Sequence, residues 1–243
     1  MTRCGACNGI LNDKPIEIDS LYECLQCGCY NRLPRREHKD VVGFMAECKP
    51  TPDEISKTYN KYNGLMSKIM SYEGISYGSG KRFWDVACGL GGLMKKAADC
   101  GYIVDGNDIR PEVAEAGMSA YGLHITVGHF EHIPIEAESL DLITFYHGIE
   151  HLLAPHAALL KAAEVLKIDG LVYMQHPNIP EGMAARYCDK SNSVGGHAYE
   201  WTFESFKQFI AQFNQFEVLL AKGFDPNLES NVAPIQEWIL RRR

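Results

Sequence analysis

From Lys81 onward the chain alternates short apolar segments with amphipathic segments, and this order limits the fold to a few architectures. Segments with strand and helix character follow one another at 83–87, 92–100, 102–106, 111–121, 125–127, 141–146, 155–166 and 170–175. Alternation at this spacing predicts a parallel sheet with helices on both faces. Residues 216–220 and 235–240, joined by the turn-rich segment 223–227, predict a closing antiparallel pair. The expected fold class is α/β with a doubly wound, mostly parallel sheet.

Size and charge exclude several classes of protein. With 243 residues, the chain can bury a sizeable core without covalent staples. It has no run of about eighteen apolar residues and no apolar stretch at its start that resembles a signal peptide, so we expect a cytoplasmic protein outside the membrane. The net charge of −7 argues against a broad nucleic-acid footprint. Residues 1–50 carry seven basic and seven acidic side chains, which leaves room only for a local basic docking surface.

Five of the nine cysteines lie in the first 29 residues. Cys4, Cys7, Cys24 and Cys27 form two Cys-x2-Cys pairs separated by sixteen residues, a spacing that presents four thiolates to one tetrahedral zinc. Disulfides are disfavoured in a reducing compartment, and a redox Cys-x-x-Cys is typical of a βαβ context that is missing here. We therefore predict a structural zinc without an open position for chemistry, and Cys29 as a bystander.

Between the cysteines and Lys81 the sequence predicts a linker and one helix. Residues 32–39 form a short basic run, interpreted as a solvated connection, with contact to an anionic substrate as the alternative. Thr51, Pro52 and Glu54 form a helix-start pattern, and the helix should continue to about residue 70. Three units follow from this: a zinc-ribbon segment (1–34), a linker with the N-terminal helix (35–80) and the main domain (81–243).

The first strand–turn–helix unit of the main domain predicts a nucleoside-binding site. Gly89 and Gly91 precede a helix, where a ligand can lie against bare backbone at the helix N-terminus. Asp108 follows the next strand, where an acid accepts hydrogen bonds from a ribose diol. A dinucleotide and S-adenosylmethionine both fit. Met94 replaces the third glycine of the dinucleotide fingerprint, and Asp85 would repel phosphates but attract a sulfonium, so S-adenosylmethionine is favoured.

Residues 81–243 resemble the class I S-adenosylmethionine-dependent methyltransferases, especially the branch of the quinone-biosynthesis O-methyltransferases. Five stretches carry the resemblance, at 85–92, 104–108, 128–143, 148–151 and 166–178. It implies a seven-stranded sheet, in which Asp85, Gly89 and Gly91 hold the methionine part of the cofactor and Asp108 its ribose. The full implied set of cofactor-binding residues is Asp85, Ala87, Gly89, Gly91, Asp108, Ile109, His129, Phe130 and His147, with residues 129 and 130 flanking the adenine.

Histidines gather where the methyl acceptor should bind. His147, Glu150 and His151 follow the fourth strand of the main domain, His176 follows the fifth, and His197 lies in a glycine-rich loop. Open α/β sheets bind ligands at these carboxyl ends of their strands. A hydroxyl acceptor must lose a proton near the attack, and histidine is the usual base at neutral pH. His151 is therefore the candidate base.

The string His147-x-x-Glu150-His151, with His197 ahead of Glu-Trp-Thr, resembles the small-RNA 3′-terminal 2′-O-methyltransferases. The resemblance implies that Glu150, His151 and His197 hold a second, divalent ion, with His147 in place of that family's first glutamate. One carboxylate with three imidazoles suits Mn, Fe, Co or Zn better than Mg. The alternative is a site without metal, in which His151 is a plain base. Glu150, His151 and His197 are thus the predicted catalytic residues.

Three functions remain open at this point. The first is methylation of a small hydroxylated acceptor (a sugar, a phenol or a quinone precursor), with the zinc segment and the 51–70 helix forming part of the pocket. The second is a metal-dependent 2′-O-methyltransferase for an RNA terminus or other nucleic acid, docked by residues 32–39, which the acidic main domain disfavours. The third is a non-catalytic zinc-ribbon adaptor, which the intact Gly89, Gly91 and Asp108 disfavour. The sequence specifies no oligomeric state.

Overall fold

The computed structural model describes residues 2–15, 21–33, 51–180, 197–223 and 235–243. In these residues two sheets are present, one of three strands and one of seven. The strands in chain order are β1 (Leu21–Glu23), β2 (Tyr30–Arg32), β3 (Arg82–Val86), β4 (Ile103–Asp108), β5 (Ile125–Val127), β6 (Leu140–Tyr146), β7 (Leu166–Pro177), β8 (Tyr199–Glu200), β9 (Phe216–Lys222) and β10 (Ile235–Arg242).

The large sheet has the strand order β5-β4-β3-β6-β7-β10-β9. Strands β3 to β7 pair in parallel, and β10 pairs antiparallel with both β7 and β9. The strand order reverses at β3, and in open α/β sheets such a reversal opens a crevice beyond the carboxyl ends of the strands. The predicted doubly wound, seven-stranded, mostly parallel sheet is confirmed, together with its closing antiparallel pair. The predicted turn at 223–227 lies, beyond residue 223, outside the described residues.

Six α-helices accompany these strands in the described residues. They are α1 (Pro52–Asn60), α2 (Leu65–Glu73), α3 (Gly92–Asp99), α4 (Pro111–Tyr121), α5 (Pro155–Val165) and α6 (Phe203–Ile210). The expected single helix from Pro52 to about residue 70 is wrong, because the chain turns between α1 and α2. Gly64, directly before α2, has a φ of 80°, a left-handed conformation that interrupts a regular helix.

Buried apolar side chains form one layer on each face of the large sheet. Neighbouring residues of a strand point to opposite faces, so Phe83 and Trp84 of β3 belong to different layers. The layer with Trp84 contains side chains of α5 and α6, such as Phe209, whereas the layer with Phe83 contains α2 and α3. Trp201 is fully buried in the first layer and stacks on Phe209.

The N-terminal cysteine segment docks on the main domain through the small sheet. β2 pairs antiparallel with β1 on one side and with β8 on the other, where Tyr30 faces Glu200 and Asn31 faces Tyr199. The buried cysteines of this segment also belong to the core layer that contains Trp201. The ribbon is therefore part of one continuous packing arrangement with the strand that follows His197.

Arg32 corrects one detail of the expected solvated linker. It lies in β2 with an exposed fraction of 8%, and its Nε donates a hydrogen bond to the His197 carbonyl oxygen (3.3 Å). The rest of the basic run, from residue 34 to 39, lies outside the described residues. Among the helices that are described, none is both long and apolar enough to span a bilayer.

Candidate active site

The turn after β3 lies at the carboxyl ends of the strands, where the reversal of the strand order opens a crevice in folds of this type. Ala87, Gly89 and Gly91 have φ values of 56°, 55° and 75°, a left-handed conformation that is strained for alanine and unstrained for glycine. Helix α3 begins directly afterwards at Gly92, so the amides of its first turn have no partner within the helix. Amides of this kind attract negatively charged or polar ligand groups. Three predicted cofactor-binding residues thus lie in one turn.

The close packing of α3 on the sheet depends on a glycine of the neighbouring strand. Met94 of α3 is fully buried and faces Gly106 of β4. A Cβ at Gly106 would lie 2.6 Å from Met94 Sδ and 2.9 Å from the Asp85 carbonyl oxygen. Gly106 therefore provides the space that dinucleotide-binding folds obtain from a third glycine in the helix.

Asp108 ends β4 with a carboxylate that is fully paired. Its Oδ1 accepts hydrogen bonds from the Arg110 amide (3.0 Å) and Arg110 Nε (2.9 Å). Its Oδ2 accepts from the Gly89 amide (2.9 Å) and Arg110 Nη2 (3.0 Å), which ties the glycine turn to β4. Ile109, between the two, is half-buried. Sequence reasoning missed Arg110, although an arginine two positions after the acid is a visible signal. Any diol that binds Asp108 has to replace bonds made by Arg110.

Asp85 of β3 is buried beside the same crevice. Its Oδ1 accepts a hydrogen bond of 2.5 Å from Thr144 Oγ1 of β6. Burial raises the pKa of Asp85 to about 7; the hydrogen bond from Thr144 opposes the rise and the charge of Asp108 adds to it. Near neutral pH both protonation states of Asp85 are populated, and a cation next to it would favour the carboxylate.

The loop after β5 brings the predicted adenine-flanking residues to this end of the sheet. The Gly128 amide donates a hydrogen bond to the Asp108 carbonyl oxygen (3.0 Å), and half-buried His129 follows it. The Phe130 ring is fully buried and its centroid lies 6.3 Å from that of Trp84. Phe130 therefore supports the loop from the core, and His129 is the side chain of this pair that is open to a ligand.

The turn between α1 and α2 lies in the 51–70 segment, which was expected to form part of the acceptor pocket. Tyr62 is buried, and its ring centroid lies 5.1 Å from that of Tyr146 in an edge-to-face arrangement. Burial raises the pKa of Tyr62, and the charge of Asp85 adds to the rise, so the phenol lies within electrostatic range of the crevice. Lys61 Nζ lies 4.8 Å from the centroid of the Tyr146 ring. The packing of aromatic rings around the strand ends extends the candidate site to this turn.

The loop after β6 lies against the glycine turn. A Cβ at Gly148 would lie 2.9 Å from the Val86 carbonyl oxygen and 3.3 Å from Ala87 Cβ, so only glycine permits this approach. His147 has a φ of 51°, and its amide donates a hydrogen bond to the Gln175 carbonyl oxygen (2.7 Å). Strained backbone in non-glycine residues is frequent at functional sites. The predicted acceptor side is thereby adjacent to the predicted cofactor crevice.

Glu150, His151 and His197 come together in the structure. Their potential ligand atoms all lie within 4.8 Å of one another, and the ring centroids of the two histidines are 4.8 Å apart. The Ala198 amide donates a hydrogen bond to the Glu150 carbonyl oxygen (2.9 Å), which holds the His197 segment on the loop after β6. His147 is not in this group, although its Nδ1 lies 3.5 Å from Glu150 Oε1. Four residues were predicted for the second cation, and in the described residues three of them, Glu150, His151 and His197, form one group.

Glu150 is a fully buried carboxylate, and neither of its oxygens accepts a hydrogen bond from the described residues. Burial on its own raises the pKa of Glu150. The approach of His147 and the charges of the neighbouring histidines lower it to about 2. Glu150 is therefore ionised at neutral pH, with His147 Nδ1 at 3.5 Å but no hydrogen bond from the described part of the chain, which is rare for a buried carboxylate. Two carboxylate oxygens next to two imidazoles suit a divalent cation.

Glu200 supports this cluster and was not identified from the sequence. Its Oε1 lies 2.9 Å from His197 Nδ1, so Nε2 is the nitrogen of His197 that is left for a ligand. Burial lowers the pKa of His197, but the Glu200 carboxylate more than compensates and raises it above its usual value. His176, in contrast, is not at the rim: it is fully buried, and burial lowers its pKa to about 4.

The four predicted zinc ligands also come together. The ligand atoms of Cys4, Cys7, Cys24 and Cys27 all lie within 4.8 Å of one another. The Gly9 amide donates to Cys7 Sγ (3.3 Å) and the Gln26 amide to Cys24 Sγ (3.4 Å), which stabilises negative charge on these sulfurs. Two tight turns with amides directed at sulfur suit a tetrahedral metal. Cys29 is buried next to them, with its Sγ 3.4 Å from Cys4 Sγ.

Comparison with known proteins adds to this geometry. Residues 84–174 match the family described as "Methyltransferase domain". The chain is 32% identical over 109 residues to the ubiquinone biosynthesis O-methyltransferase of Glaesserella parasuis, which covers 41% of this chain and 46% of that protein. It is 25% identical over 196 residues to the demethylmenaquinone methyltransferase of Clavibacter sepedonicus, covering 71% of this chain and 80% of that protein. The chain thus spans about half the length of the first relative.

Among solved structures, an S-adenosylmethionine-dependent methyltransferase from Methanosarcina mazei has the same fold. The TM-score is 0.58 at 15% identity, over 72% of this chain and 96% of that one. The reversed strand order and the glycine–aspartate crevice define a doubly wound domain of the nucleoside-binding type. The family match identifies residues 84–174 as a methyltransferase domain.

Proposed function

We propose that this protein is an S-adenosylmethionine-dependent O-methyltransferase for a small hydroxylated acceptor, such as a sugar, a phenol or a quinone precursor. The observation that supports it best is the meeting of Glu150, His151 and His197 beside the glycine turn, which Gly148 permits. A proton-accepting group and a nucleoside crevice are thus within reach of one reaction centre. Holding the acceptor and the methyl donor next to each other lowers the entropic cost of bringing them together for the reaction.

The methionine side of the cofactor is assigned to the turn after β3. Bound S-adenosylmethionine supplies a methyl group activated by a sulfonium. The left-handed turn at Ala87, Gly89 and Gly91 leads directly into α3, whose first amides attract a carboxylate. The Asp85 carboxylate favours the positive groups of the cofactor, and Tyr62 covers this part of the crevice from the α1–α2 turn.

The nucleoside side is assigned to the ends of β4 and β5. Asp108 accepts hydrogen bonds from the ribose diol once Arg110 has moved away from its two oxygens. Ile109 and His129 flank the adenine, while Phe130 supports the loop from the core. His147 precedes Gly148, which lies against the turn after β3. His147 is therefore assigned to the boundary between the cofactor and the acceptor.

On the acceptor side, His151 takes the proton from the acceptor hydroxyl. Glu150 carries a full negative charge that stabilises the imidazolium formed on His151. Glu200 holds the His197 ring through Nδ1 and so directs Nε2 towards the cluster. Without a metal, this arrangement performs general base catalysis through His151; a metal held by His151 would take the place of that base.

The same three side chains are assigned as ligands of a divalent cation. One carboxylate and two imidazoles suit Mn, Fe, Co or Zn, and the unpaired Glu150 oxygens fit such an ion. A cation bound there lowers the pKa of a coordinated hydroxyl and orients a vicinal diol or catechol. His147 then stays a neighbour of Glu150 and is not a ligand.

The ribbon is assigned a structural zinc held by Cys4, Cys7, Cys24 and Cys27. The units 1–34, 35–80 and 81–243 stay a prediction. Elemental analysis of the native protein should give about one zinc per chain, and after chelation none. Protein purified without chelator that contains no zinc, yet keeps its ribbon folded, would contradict the assignment.

The choice of a small acceptor over a nucleic acid is supported by Arg32. This arginine of the basic run is buried and bonded to the His197 carbonyl, so it is not free to contact phosphates. The net charge of −7 points the same way. If the acceptor were RNA, its apparent affinity would fall steeply with salt concentration.

The test is a methyl-transfer assay with radiolabelled S-adenosylmethionine and three acceptor series: catechols and phenols, hydroxylated sugars, and short RNA oligomers. Each series is run with chelator and with added Mn²⁺, and mass spectrometry assigns the methylated atom. We expect transfer to oxygen in one of the first two series, and its loss in His151→Ala. The variant His124→Ala, an exposed histidine far from the cluster, is the control. Transfer to carbon, or to RNA alone, would overturn the proposed function.

A further inference from the structure

The zinc-ribbon cluster and the Glu150–His151–His197 cluster are connected through two adjacent residues of one strand. Asn31 and Arg32 end β2, the strand that pairs with β8 on the main domain. Asn31 contacts the cysteine cluster, and Arg32 contacts the segment that carries His197. Asn31 and Arg32 are both buried, and His197 is half-buried.

Asn31 is fully buried, and its amide group binds the ribbon on both sides. Its Oδ1 accepts a hydrogen bond from the Gly5 amide (3.1 Å), within the first Cys-x2-Cys turn. Its Nδ2 donates to Cys4 Sγ (3.4 Å) and to the Cys29 carbonyl oxygen (3.2 Å). Because the position of Cys4 depends on the metal, the position of the Asn31 side chain depends on it too.

Arg32 fixes the start of the segment that leads into β8. Its backbone amide donates to the Ala198 carbonyl oxygen (3.1 Å), and its Nε donates to the His197 carbonyl oxygen (3.3 Å). Ala198 in turn donates its amide to the Glu150 carbonyl oxygen (2.9 Å). Two successive hydrogen bonds, from Arg32 to Ala198 and from Ala198 to Glu150, therefore lead from the ribbon strand to the backbone of the buried carboxylate.

β8 has only two residues, and its pairing with β2 is its contact within the small sheet. A strand this short has little stability of its own, so its order depends on β2 together with the buried side chains of Tyr199 and Trp201. The ribbon is likewise too small to fold by apolar burial alone and depends on its metal. Loss of the metal would thus free β2, then β8 and with it His197.

We propose that zinc in the ribbon holds His197 in position at the acceptor cluster, with Asn31 and Arg32 as the positioning residues that connect the two sites. This proposal rests on the proposed zinc assignment of the ribbon, but not on a second cation at Glu150. Coupling between two sites is reciprocal, so filling the acceptor cluster should also strengthen zinc retention.

Amide hydrogen exchange on the full-length protein tests the proposal without using activity. Exchange is followed at residues 197–201, with β4 (Ile103–Asp108) as an internal reference, before and after zinc removal by a chelator. We expect exchange at 197–201 to become at least about tenfold faster, since local opening follows the loss of stabilising contacts, while β4 stays unchanged. Equal exchange at 197–201 with and without zinc, in protein shown to have lost its metal, would overturn the proposal.

The variant Asn31→Ala separates this effect from general unfolding of the ribbon. It keeps all five cysteines of the segment, and the matched control Asn12→Ala changes a ribbon asparagine whose described hydrogen bond is made by its backbone amide. We expect zinc-loaded Asn31→Ala to exchange faster at 197–201 and Asn12→Ala to behave as the natural chain. If zinc removal also speeds exchange in β4, Asn31→Ala decides: unchanged exchange at 197–201 in that variant overturns the proposal.

A titration with Mn²⁺, followed by electron paramagnetic resonance, distinguishes failure of this proposal from failure of the proposed cation. Tighter Mn²⁺ binding in zinc-loaded than in zinc-depleted protein, by about tenfold, supports both. If no Mn²⁺ binds in either form, the cation assignment is wrong, and the exchange result alone decides the connection. Equal Mn²⁺ affinity in both forms contradicts the connection and keeps the cation.

Discussion

Asp108 and Glu150 are both buried carboxylates at the carboxyl edge of the large sheet, but their surroundings are opposite. Each Asp108 oxygen accepts hydrogen bonds from Arg110, and one of them also binds the Gly89 amide. Both Glu150 oxygens lack a hydrogen-bond donor among the described residues, and histidines provide the compensating charge. The first acid is satisfied by its own neighbours, whereas the second is not.

Because of this difference, a ligand meets different competition for hydrogen bonds at Asp108 and at Glu150. At Asp108 a ligand has to compete with Arg110 for oxygens that are already bonded, so binding gains only the difference between two sets of hydrogen bonds. At Glu150 a cation or a proton donor meets a charge that accepts no hydrogen bond from the described residues, with His147 Nδ1 at 3.5 Å as a weak competitor. Substitutions at Glu150 should therefore change the reaction, and substitutions around Asp108 should change the affinity for the cofactor.

The largest effect is expected for Glu150→Gln. Loss of the negative charge removes the stabilisation of protonated His151, and turnover should fall by about 10²–10⁴-fold, the usual contribution of general base catalysis. Cofactor affinity, measured by calorimetry, should stay near that of the natural chain. Glu164→Gln, an exposed change on α5, serves as the control. A variant with normal turnover would show that Glu150 has no part in the reaction.

Asp108→Ala should weaken binding of S-adenosylmethionine by about 10- to 100-fold, because a hydrogen bond to a charged group contributes about 1.5–3 kcal/mol. Turnover at saturating cofactor should change far less. Asp105→Ala on the same strand, where the acid pairs with His124 at the surface, is the matched control. Calorimetry that gives the same affinity for Asp108→Ala and the natural chain would remove Asp108 from the ribose site.

Asp85 predicts a pH dependence of cofactor binding. Its pKa of about 7 lies above the usual value for aspartate, so the carboxyl is largely protonated below pH 7 and ionised above it. S-adenosylmethionine is a cation at sulfur and prefers the ionised form; its affinity should rise about tenfold between pH 6 and pH 8, with proton release on binding near pH 7.

The comparison ligand for this experiment is S-adenosylhomocysteine, whose sulfur is neutral. Its affinity should depend on pH less strongly than that of S-adenosylmethionine, and Asp85→Asn should flatten the profile of both. An S-adenosylmethionine affinity that is independent of pH in the natural chain would mean that Asp85 does not sense the cofactor.

The smallest effect is expected for Arg110→Ala. Removal of the guanidinium leaves each Asp108 oxygen with one backbone amide donor, so binding of S-adenosylmethionine should become about 2- to 5-fold tighter, in line with the modest energy of a partly exposed ion pair. Arg82→Ala, at the far end of β3, should have no effect. Weaker binding in Arg110→Ala would show that this arginine contacts the cofactor instead of competing with it.

The sequence was sufficient to predict the main sheet and the residues that gather at its edge. Pro111 at the start of α4 and the strand–helix alternation are local signals that do not depend on distant contacts. The break between α1 and α2 was not predicted, because Gly64 interrupts a segment that otherwise has helical character. Propensity alone does not reveal that a single left-handed residue separates two helices.

The sequence was sufficient to name residues of the candidate site, but not to predict which of them lie next to each other. The grouping of His197 with Glu150 depends on pairing between segments more than 40 residues apart, and the burial of His176 depends on Phe206, which lies 4.1 Å away between ring centroids. The roles of Glu200 and Arg32 follow from side-chain directions that no local pattern specifies. Arg32 was read as part of a basic run, since charge alone does not show that a guanidinium points inward.

The Met94–Gly106 contact has a consequence for the recognition of nucleoside-binding folds. The requirement at this position is a distance between two backbones, and it can be met by a small residue on either of them. A thioether is long and flexible enough to fill the hollow that the missing side chain leaves on the strand. Sequence fingerprints that look for a glycine only in the helix therefore miss nucleoside-binding proteins in which the small residue is on the adjacent strand.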